Sequence, residues 1–432
     1  MRALLLTARA PLLTAEQTRE DLTFLRDLWG PLDQSFSRDQ RRTFNAEIDA
    51  AIARAGSLAP SDFALAIMHA VAISRNGHTR VSVGNLLSYL PIGVWWFADG
   101  LRVVTAEQQH IGLLGARIQR IGSLTPELAI ARAAPFISGT EQRIRYLSAG
   151  YLISPELLRH IGAVADPNDV PLQLQVSDGS SRIVHLSRFA RVDAAPAPQR
   201  EPYSVLIPDA PDAPDRWPHV LDDVTVRPWI YHNPVELSVA WIGDDASVYY
   251  LRSNTLAGPR LDQKLLYDVL QADVVPRRPR YAIVDLRLNN GGNFFNTILF
   301  AQALPKLIPP DGRIFVLVGR ATFSAALVTA AMLKANGGDR AILVGETMGD
   351  GSRFWAEGAN CTLPNSRVEV RYTTGFHDWA TGCSDTDRCF WPVAAFGVKN
   401  TSLEPQIRVE PTFADYAAGR DPVLQTALAM TA

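Results

Sequence analysis

The chain contains 432 residues, 47% of them hydrophobic and 20% charged, and its formal net charge at pH 7 is -2. A chain of this length can form two or three domains with a large core, and its near-neutral charge gives no reason to expect a nucleic-acid partner. No apolar stretch approaches the roughly 20 residues that span a bilayer, so we predict no transmembrane segment.

The first predicted domain is a helical region, residues 1–85, that ends in a loop with a histidine. Apolar residues recur at helical spacing between residues 15 and 76, and Ser61-Asp62 is a candidate cap for the second helical run. The Asn76-Gly77 pair predicts a turn. His78 follows this turn, where a neutral imidazole could act as a general base. The alternative is a loop histidine that binds local carbonyl groups.

The second predicted domain, residues 86–193, is small and β-rich. Residues 90–122 alternate in polarity and carry many β-branched and aromatic side chains, and the Asp99-Gly100 pair predicts a hairpin. Helical segments are expected from there to about residue 162, and strands follow at 172–176 and 182–186.

A proline-rich linker, residues 194–218, is predicted to precede the C-terminal domain, residues 219–432. Its prolines block both helix and central strand. Beyond the linker, apolar runs of strand length alternate with helical patterns, which predicts a layered α/β sheet. The predicted strands lie at 247–251, 281–286, 314–318 and 341–344, and the predicted helices at 261–270, 295–307 and 325–335.

Ser324 lies at the junction of the 314–318 strand and the 325–335 helix. The N-terminus of a helix presents unpaired N–H groups, and the helix dipole favours negative charge there. A serine nucleophile and the oxyanion that it generates need such an environment. A helix N-cap is the alternative role for Ser324, because serine is common at that position.

A second loop of this kind, Asn289-Asn290-Gly291-Gly292, follows the 281–286 strand. Ligands in open α/β sheets bind at the carboxyl ends of strands, and glycines let the backbone turn tightly and expose its N–H groups there. The N–H of Gly291 or Gly292, together with that of Ala325, is therefore a candidate oxyanion hole. The alternative is a glycine turn that only ends the strand.

Two further pairs of polar residues are candidates for a structural or a catalytic role. Asp285 and Arg287 lie at the end of a core strand, where charges need partners, and we expect them to form a structural ion pair. His377 and Asp378 are adjacent and form an alternative to His78 as the source of a base.

The three cysteines are Cys361, Cys383 and Cys389. Cys383 and Cys389 bracket a short polar loop and could close a small disulfide ring, which would favour an exported protein. Three unrelated thiols are the alternative. The sequence has no CxxC pair and no HExxH helix, so we predict no zinc site.

Six segments of the C-terminal part carry, in order, a family resemblance. They are 281–292, Thr322-Phe323-Ser324-Ala325-Ala326, Gly345-Glu346-Thr347-Met348-Gly349-Asp350-Gly351, Leu363-Pro364-Asn365-Ser366, Glu404-Pro405-Gln406-Ile407 and Gly419-Arg420-Asp421-Pro422. From about residue 240 to 428 the chain thus resembles the serine peptidases that include the C-terminal processing (tail-specific) proteases, the tricorn core protease and interphotoreceptor retinoid-binding protein.

This resemblance implies a crotonase-like α/β core in which Ser324 is the nucleophile. In the tail-specific proteases the base is a lysine inside a Gly-x-Gly loop, and here Asp350 stands at that position. The tricorn-like members instead use a histidine from an N-terminal loop. Asn76-Gly77-His78-Thr79 resembles that loop, so His78 is the implied base.

The tricorn-like branch also has a serine before the histidine and a glutamate near a Pro-Asp-Ile segment. Pro405-Gln406-Ile407 is the counterpart of that segment here. Here Gly77 and Lys399 stand at these two positions, so the base lacks the groups that orient it in that branch. Glu346, Asp350 and Lys399 are the candidate supporting residues.

Two functions fit these observations. The first is a serine-type peptidase that acts on a peptide or protein substrate through Ser324 and His78, without a cofactor. The second is a catalytically weak or inactive family member that binds an apolar ligand or a peptide. The resemblance favours an exported protein, and Met1 to Leu6 is either a fragment of an export signal or a plain cytosolic N-terminus.

Overall fold

A computed structural model of the protein describes residues 13–176, 178–189, 201–213, 215–232, 235–243, 246–383 and 388–431. Met1 to Leu6 lies outside the described residues, and so do residues 194–200 and Pro214 of the predicted linker.

The described residues form a mixed α/β protein. The strands are β1 (Arg80–Ser82), β2 (Ile92–Phe97), β3 (Gly100–Ala106), β4 (Arg117–Ile121), β5 (Val170–Gln175), β6 (Ser181–Leu186), β7 (Ser238–Ile242), β8 (Val248–Arg252), β9 (Tyr281–Asp285), β10 (Arg313–Val318), β11 (Ala341–Gly345), β12 (Arg353–Ala356), β13 (Ala359–Thr362), β14 (Glu369–Tyr372), β15 (Gly375–Asp378) and β16 (Ile407–Arg408). The α-helices are α1 (Ala15–Phe24), α2 (Gly30–Leu32), α3 (Arg38–Ala53), α4 (Pro60–Ala72), α5 (Pro126–Ala133), α6 (Glu141–Tyr151), α7 (Pro155–His160), α8 (Gln263–Val269), α9 (Val275–Arg277), α10 (Ile298–Leu307), α11 (Ala325–Gly337), α12 (Trp391–Phe396), α13 (Phe413–Ala417) and α14 (Pro422–Ala429).

The chain divides into two compact units that interleave along the sequence. The first unit comprises Met1–Thr140, Ile144–Asp222 and Trp355–Gly375, and the second comprises Glu141–Arg143, Asp223–Phe354 and Phe376–Ala432. This division by contacts does not test the domain boundaries expected from the sequence, which stay predictions.

The first unit combines a helical core with two antiparallel sheets. Leu22 of α1, Phe44 of α3 and Phe63 of α4 are buried together with Val370 of β14. The larger sheet has the strand order β2-β3-β4-β5-β6 and the smaller one the order β1-β14-β13. The predicted N-terminal helices and the predicted β2–β3 hairpin are confirmed.

The start of α4 differs from the prediction that Ser61-Asp62 caps it. The helix begins at Pro60, with Ala59 at the N-cap position and no side-chain cap hydrogen bond. Proline suits the first turn because it has no N–H to leave unpaired and its φ is already helical.

The second unit is built on a six-stranded sheet of order β16-β11-β10-β9-β8-β7. Neighbours from β16 to β8 run parallel, and β7 pairs with β8 in the antiparallel direction. Val423 and Ala427 of α14 are buried together with Tyr250 and Phe315 of the sheet. α11 is buried along most of its length, as its nearly continuous apolar sequence predicts. The predicted alternation of strands and helices is confirmed.

A buried network of charges fixes the carboxyl end of β9. Arg287 donates to both carboxylate oxygens of Asp285, at 2.9 and 2.6 Å, and to both of Asp421, at 2.6 and 2.8 Å. Burial alone would raise the pKa of Asp285, but the guanidinium holds this pKa below its ordinary value. Asp421 is also the N-cap of α14. The predicted Asp285–Arg287 pair is therefore confirmed, and it extends to the last helix.

We expect Arg287→Ala to lower the free energy of unfolding of the second unit by about 3–5 kcal/mol, because it leaves two buried carboxylates without their partner. Urea denaturation followed by circular dichroism measures this loss. The control is Arg420→Ala, which removes a side chain that is 51% exposed and pairs with Asp415 at 3.0 Å. A surface pair of this kind contributes at most about 1 kcal/mol. Equal losses in the two variants would contradict the role given to Arg287.

Candidate active site

Ser324 occupies a strained turn between β10 and α11. Its backbone angles are φ 54° and ψ -126°, and its side chain makes no cap hydrogen bond to the helix. The interpretation of Ser324 as a side-chain N-cap is therefore wrong. Such backbone angles cost a residue with a Cβ about 1–3 kcal/mol and persist where the surroundings enforce them. They are typical of nucleophile elbows, where a sharp strand-to-helix turn exposes a catalytic serine.

The turn that carries Ser324 is tied to the end of β9. The Thr322 hydroxyl donates to the Leu286 carbonyl at 2.8 Å and accepts the Gly319 N–H at 2.9 Å. The Phe323 N–H donates to the Asn289 carbonyl at 3.1 Å. These bonds satisfy the polar groups of a buried turn and fix the serine relative to the neighbouring strand.

Gly291 brings the glycine loop into direct contact with the nucleophile turn. A Cβ on Gly291 would lie 2.8 Å from the Ser324 Cβ and 2.9 Å from the Ala325 nitrogen, and its φ is +98°. Only glycine fits at this distance and with this φ. The structure thus brings together Ser324, Ala325 and the Gly291-Gly292 loop, which lie some 30 residues apart in the sequence.

The sequence leaves open whether the N–H of Gly291 or that of Gly292 belongs to the oxyanion hole. The hydrogen bonds of the loop distinguish the two groups. The Gly291 N–H donates to Oδ1 of Asn289 at 2.8 Å, so it is already engaged. Gly292 is exposed, and its N–H is the remaining candidate beside the Ala325 N–H at the first turn of α11. Two backbone donors, one of them at the N-terminus of α11, are suited to bind an oxyanion.

Asp350 lies against the same turn. Its carboxyl group is buried and accepts the N–H of Gly351 at 3.2 Å. Burial raises the pKa of Asp350 from 3.8 to about 7, although the Arg143 guanidinium and the backbone N–H groups of Gly351 and Ser324 act in the opposite direction. Of the three candidate supporting residues, Asp350 is the one whose pKa responds to the Ser324 backbone.

Arg143 is a polar residue of this region that the sequence analysis does not single out. Arg143 donates to Oδ1 of Asn290 at 2.6 Å, and its guanidinium carbon lies 3.9 Å from the centre of the Phe323 ring. Arg143 lies in the first turn of α6, and no local pattern distinguishes it from the other charged residues of the helices. Asp33, in the loop after α2, is likewise not indicated by any sequence pattern and is described below with His78.

Glu346 and Lys399 lie in other environments. Glu346 pairs with Arg320 at 2.7 Å, and Arg320 also reaches Glu410 at 3.3 Å. Lys399 is exposed, and its Cγ would lie 3.2 Å from a Cβ on Gly382. Their predicted supporting roles stay predictions.

His78 belongs to the first unit, where it is buried in the loop between α4 and β1. Asp33 orders this loop: its Oδ2 accepts the Thr79 hydroxyl at 2.8 Å and the Thr373 N–H at 2.8 Å. Ser324 belongs to the second unit, so the pairing of His78 with Ser324 stays a prediction.

His377 and Asp378, the alternative dyad, are engaged in packing and loop bonds. The His377 ring is stacked on Phe354 at 4.8 Å and on Phe390 at 5.4 Å between ring centres. The Asp378 carboxylate accepts the Thr381 hydroxyl at 2.7 Å, among other bonds to its own loop. A histidine held between two aromatic rings has the role of a core aromatic residue.

The Cys383–Cys389 disulfide that the spacing suggests is present, and Cys361 is free. Among the residues that the structure describes, no group of three or more His, Cys, Asp or Glu side chains could hold a metal ion. Within the same residues, no helix has both the length and the apolar character needed to cross a bilayer.

Three solved structures show what the chain is similar to. Mature CPAF matches with a TM-score of 0.61 and 14% identity, over 96% of this chain and 97% of that chain. Tricorn protease matches with a TM-score of 0.44 and 12% identity, over 96% of this chain and 36% of its own. The photosystem II D1 C-terminal processing protease matches with a TM-score of 0.37 and 13% identity, over 94% and 98%. No protein-family model and no curated protein sequence matches the chain.

The likeness to CPAF shows that the two chains share a fold.

We expect Gly291→Ala to lower the free energy of unfolding by about 1–3 kcal/mol, because alanine is strained at a φ of +98° and its Cβ would collide with Ser324. The matched control is Gly338→Ala in the same unit. Gly338 also has a positive φ, +57°, but nothing lies within 4 Å of an added Cβ. Thermal denaturation of both variants separates the collision from the backbone strain. A loss for Gly291→Ala no larger than for Gly338→Ala would contradict the close approach.

The raised pKa of Asp350 predicts a pH dependence of stability. Between about pH 4 and about pH 7 the folded protein keeps a proton on Asp350 that the unfolded chain has released. The free energy of unfolding should therefore fall as pH rises through this window, by up to about 4 kcal/mol. In Asp350→Asn this fall should be absent. Urea denaturation at several pH values measures it, with Asp311→Asn, an exposed carboxylate paired with Arg280, as the control. Parallel pH curves for wild type and Asp350→Asn would refute the shift.

Proposed function

We propose that this protein is a serine-type peptidase in which Ser324 is the nucleophile and His78 the general base. The observation that carries the proposal is the strained Ser324 turn with Gly291 packed against it. Ordinary helix starts need neither feature. A nucleophile beside an oxyanion hole needs both, because the reacting carbonyl must lie within about 3 Å of the serine oxygen and of the backbone donors.

The reaction follows from these positions. Ser324 Oγ attacks the peptide carbonyl carbon while His78 takes the hydroxyl proton. The carbonyl oxygen becomes an oxyanion that accepts hydrogen bonds from the N–H groups of Ala325 and Gly292. When the intermediate collapses, the C–N bond breaks and His78 gives its proton to the leaving amine. Water then attacks the acyl-enzyme with His78 again as base, which releases the carboxylic acid and restores Ser324.

The fold shared with CPAF and the ordered sequence motifs support this proposal. The six-stranded sheet of the second unit is, on this proposal, the crotonase-like core that the sequence resemblance implies. His78 is supported by its place in a loop that Asp33 holds in order. Because Gly77 precedes His78, the base has to be oriented by groups other than the serine found at that position in the tricorn-like proteases.

We further propose that the protein is exported. The disulfide between Cys383 and Cys389 supports this location, because disulfides persist in oxidising compartments and are rare in the cytosol.

The competing function is the binding of an apolar ligand without catalysis. Aromatic side chains could form such a site, and the sequence places Phe354, Trp355, Trp379, Phe390 and Trp391 in this part of the chain. Trp379 and Phe354 are buried and lie against His377, whereas Trp391 is exposed. Packed rings of this kind form a core more readily than a ligand cavity, so we favour the peptidase.

A fluorophosphonate probe tests the nucleophile, with intact-mass analysis as the measurement. We expect one adduct per chain in the wild type and none in Ser324→Ala. His78→Gln should label about 10²–10⁴-fold more slowly, which is the contribution of a general base. His185→Gln, which removes an exposed histidine paired with Asp169 at 2.7 Å, should label as the wild type does. Equal labelling of wild type and Ser324→Ala would exclude Ser324, and an unlabelled wild type that co-purifies with a lipid would favour the binding protein.

A further inference from the structure

His78 occupies the third position of a tight turn in the loop between α4 and β1. The turn runs from Asn76 to Thr79, and the Thr79 N–H donates to the Asn76 carbonyl at 3.0 Å. Both ends of the turn are buried. Arg75, directly before it, has a positive φ of 55°, which a residue with a Cβ keeps where its surroundings enforce it. The loop therefore depends on contacts that hold it in this shape.

A buried carboxyl group supplies the contacts at the end of the turn. Asp33 is 2% exposed. Its Oδ2 accepts the Thr79 hydroxyl at 2.8 Å, the Thr373 N–H at 2.8 Å and the Thr373 hydroxyl at 3.1 Å. Its Oδ1 accepts the N–H and the hydroxyl of Ser35, at 2.9 and 2.5 Å. The donors lie on three segments of the chain, and a buried carboxyl group persists where such donors surround it.

The Asn76 side chain holds the start of the turn. Its Nδ2 donates to the Thr79 hydroxyl oxygen at 3.0 Å and to the Thr373 hydroxyl oxygen at 3.4 Å. Its Oδ1 accepts the Trp355 N–H at 3.3 Å. The two ends of the turn are thus joined to each other by backbone and side chain, and both are joined to Thr373. All of these residues belong to the first unit. His78, between the two ends, cannot change its backbone without breaking several buried bonds.

We infer that Asp33 is a positioning residue for His78 and acts through Thr79 and Asn76, an inference that rests on the proposed role of His78 as the base. A catalytic group has to be held within about 0.5 Å of its productive position. Gly77 has no side chain that could orient the imidazole, so the backbone of the turn has to set the position of the ring. A buried polar network in which the groups are satisfied fixes one geometry, which is what this task requires.

The first unit contains a second buried carboxyl group of this kind, which provides a matched control. Asp21 of α1 is fully buried, and it accepts the N–H groups of Asn365 and Ser366, each at 2.8 Å. These bonds hold the segment between β13 and β14. If Asp33 only ties segments together, as Asp21 does, the loss of either carboxyl group should have the same effect on the reactivity of Ser324.

The test measures the rate of fluorophosphonate labelling of Ser324 in the full chain. Asp33→Ala should label about 10²-fold more slowly than the wild type, the effect of a catalytic group displaced by about 1 Å. Asp21→Ala should label as the wild type does. In a His78→Gln background, Asp33→Ala should cause no further slowing, because residues that act as one unit are not additive.

A pair of smaller changes tests the same contact at the turn itself. Thr79→Val keeps the shape of the side chain and removes the hydroxyl that donates to Asp33, so it should slow labelling by about 10-fold. Thr79→Ser keeps this hydroxyl and should recover the rate.

A wild-type rate in Asp33→Ala, or equal slowing in Asp33→Ala and Asp21→Ala, would overturn the inference while leaving Ser324 and His78 in their proposed roles. Undiminished slowing by Asp33→Ala in the His78→Gln background would also overturn it, because a general structural defect adds to the loss of the base. If Asp33→Ala does not fold, as judged by circular dichroism, the Thr79 pair decides: slower labelling of the valine variant supports the inference, and equal rates refute it. An unlabelled wild type, or His78→Gln that labels as the wild type does, removes the proposed function and the inference with it.

Discussion

The bonds of Arg287 to Asp285 and Asp421 fix the point from which the candidate site is built. They hold the carboxyl end of β9, the start of the glycine loop and the N-terminus of α14 in one buried network. A charge cannot remain in the interior without its partners, so any displacement of the loop would expose or unpair an ion at a cost of several kcal/mol. The short distance between Gly291 and Ser324 depends on that rigidity, since both are tied to the end of the same strand.

The site itself concentrates features that lower stability. Ser324 has unfavourable backbone angles, Gly291 has a positive φ, and Asp350 is a carboxyl group buried beside them. Selection for stability alone would remove each of these features. The sheet and α11 are apolar and closely packed, and their packing supplies the stability that offsets the cost. Conflicts of this kind between local preference and global fold are expected at functional sites.

The sequence predicted much of the second unit because its signals are strong and local. Apolar runs of strand length, followed by helical patterns, locate β9, β10, β11 and the helices between them within a few residues. The prediction that Ser61-Asp62 caps α4 was wrong because these residues compete with Pro60, whose preference for the first turn of a helix is stronger. Ser324 occupies the N-cap position of α11, but its side chain does not cap the helix, because a side-chain cap needs extended backbone angles and this turn imposes a positive φ.

The sequence alone determined the residue types of the site, since the order of its motifs identifies Ser324, the glycine loop and His78 as candidates. Only the tertiary structure decided which groups are available for chemistry. It showed that the Gly291 N–H is engaged by Asn289, that Asp350 is buried, and that Arg143 joins the first turn of α6 to the glycine loop. These contacts connect residues up to 147 positions apart. Such contacts follow from the packing of buried polar groups, which must find partners in three dimensions and leave no periodic trace in the chain.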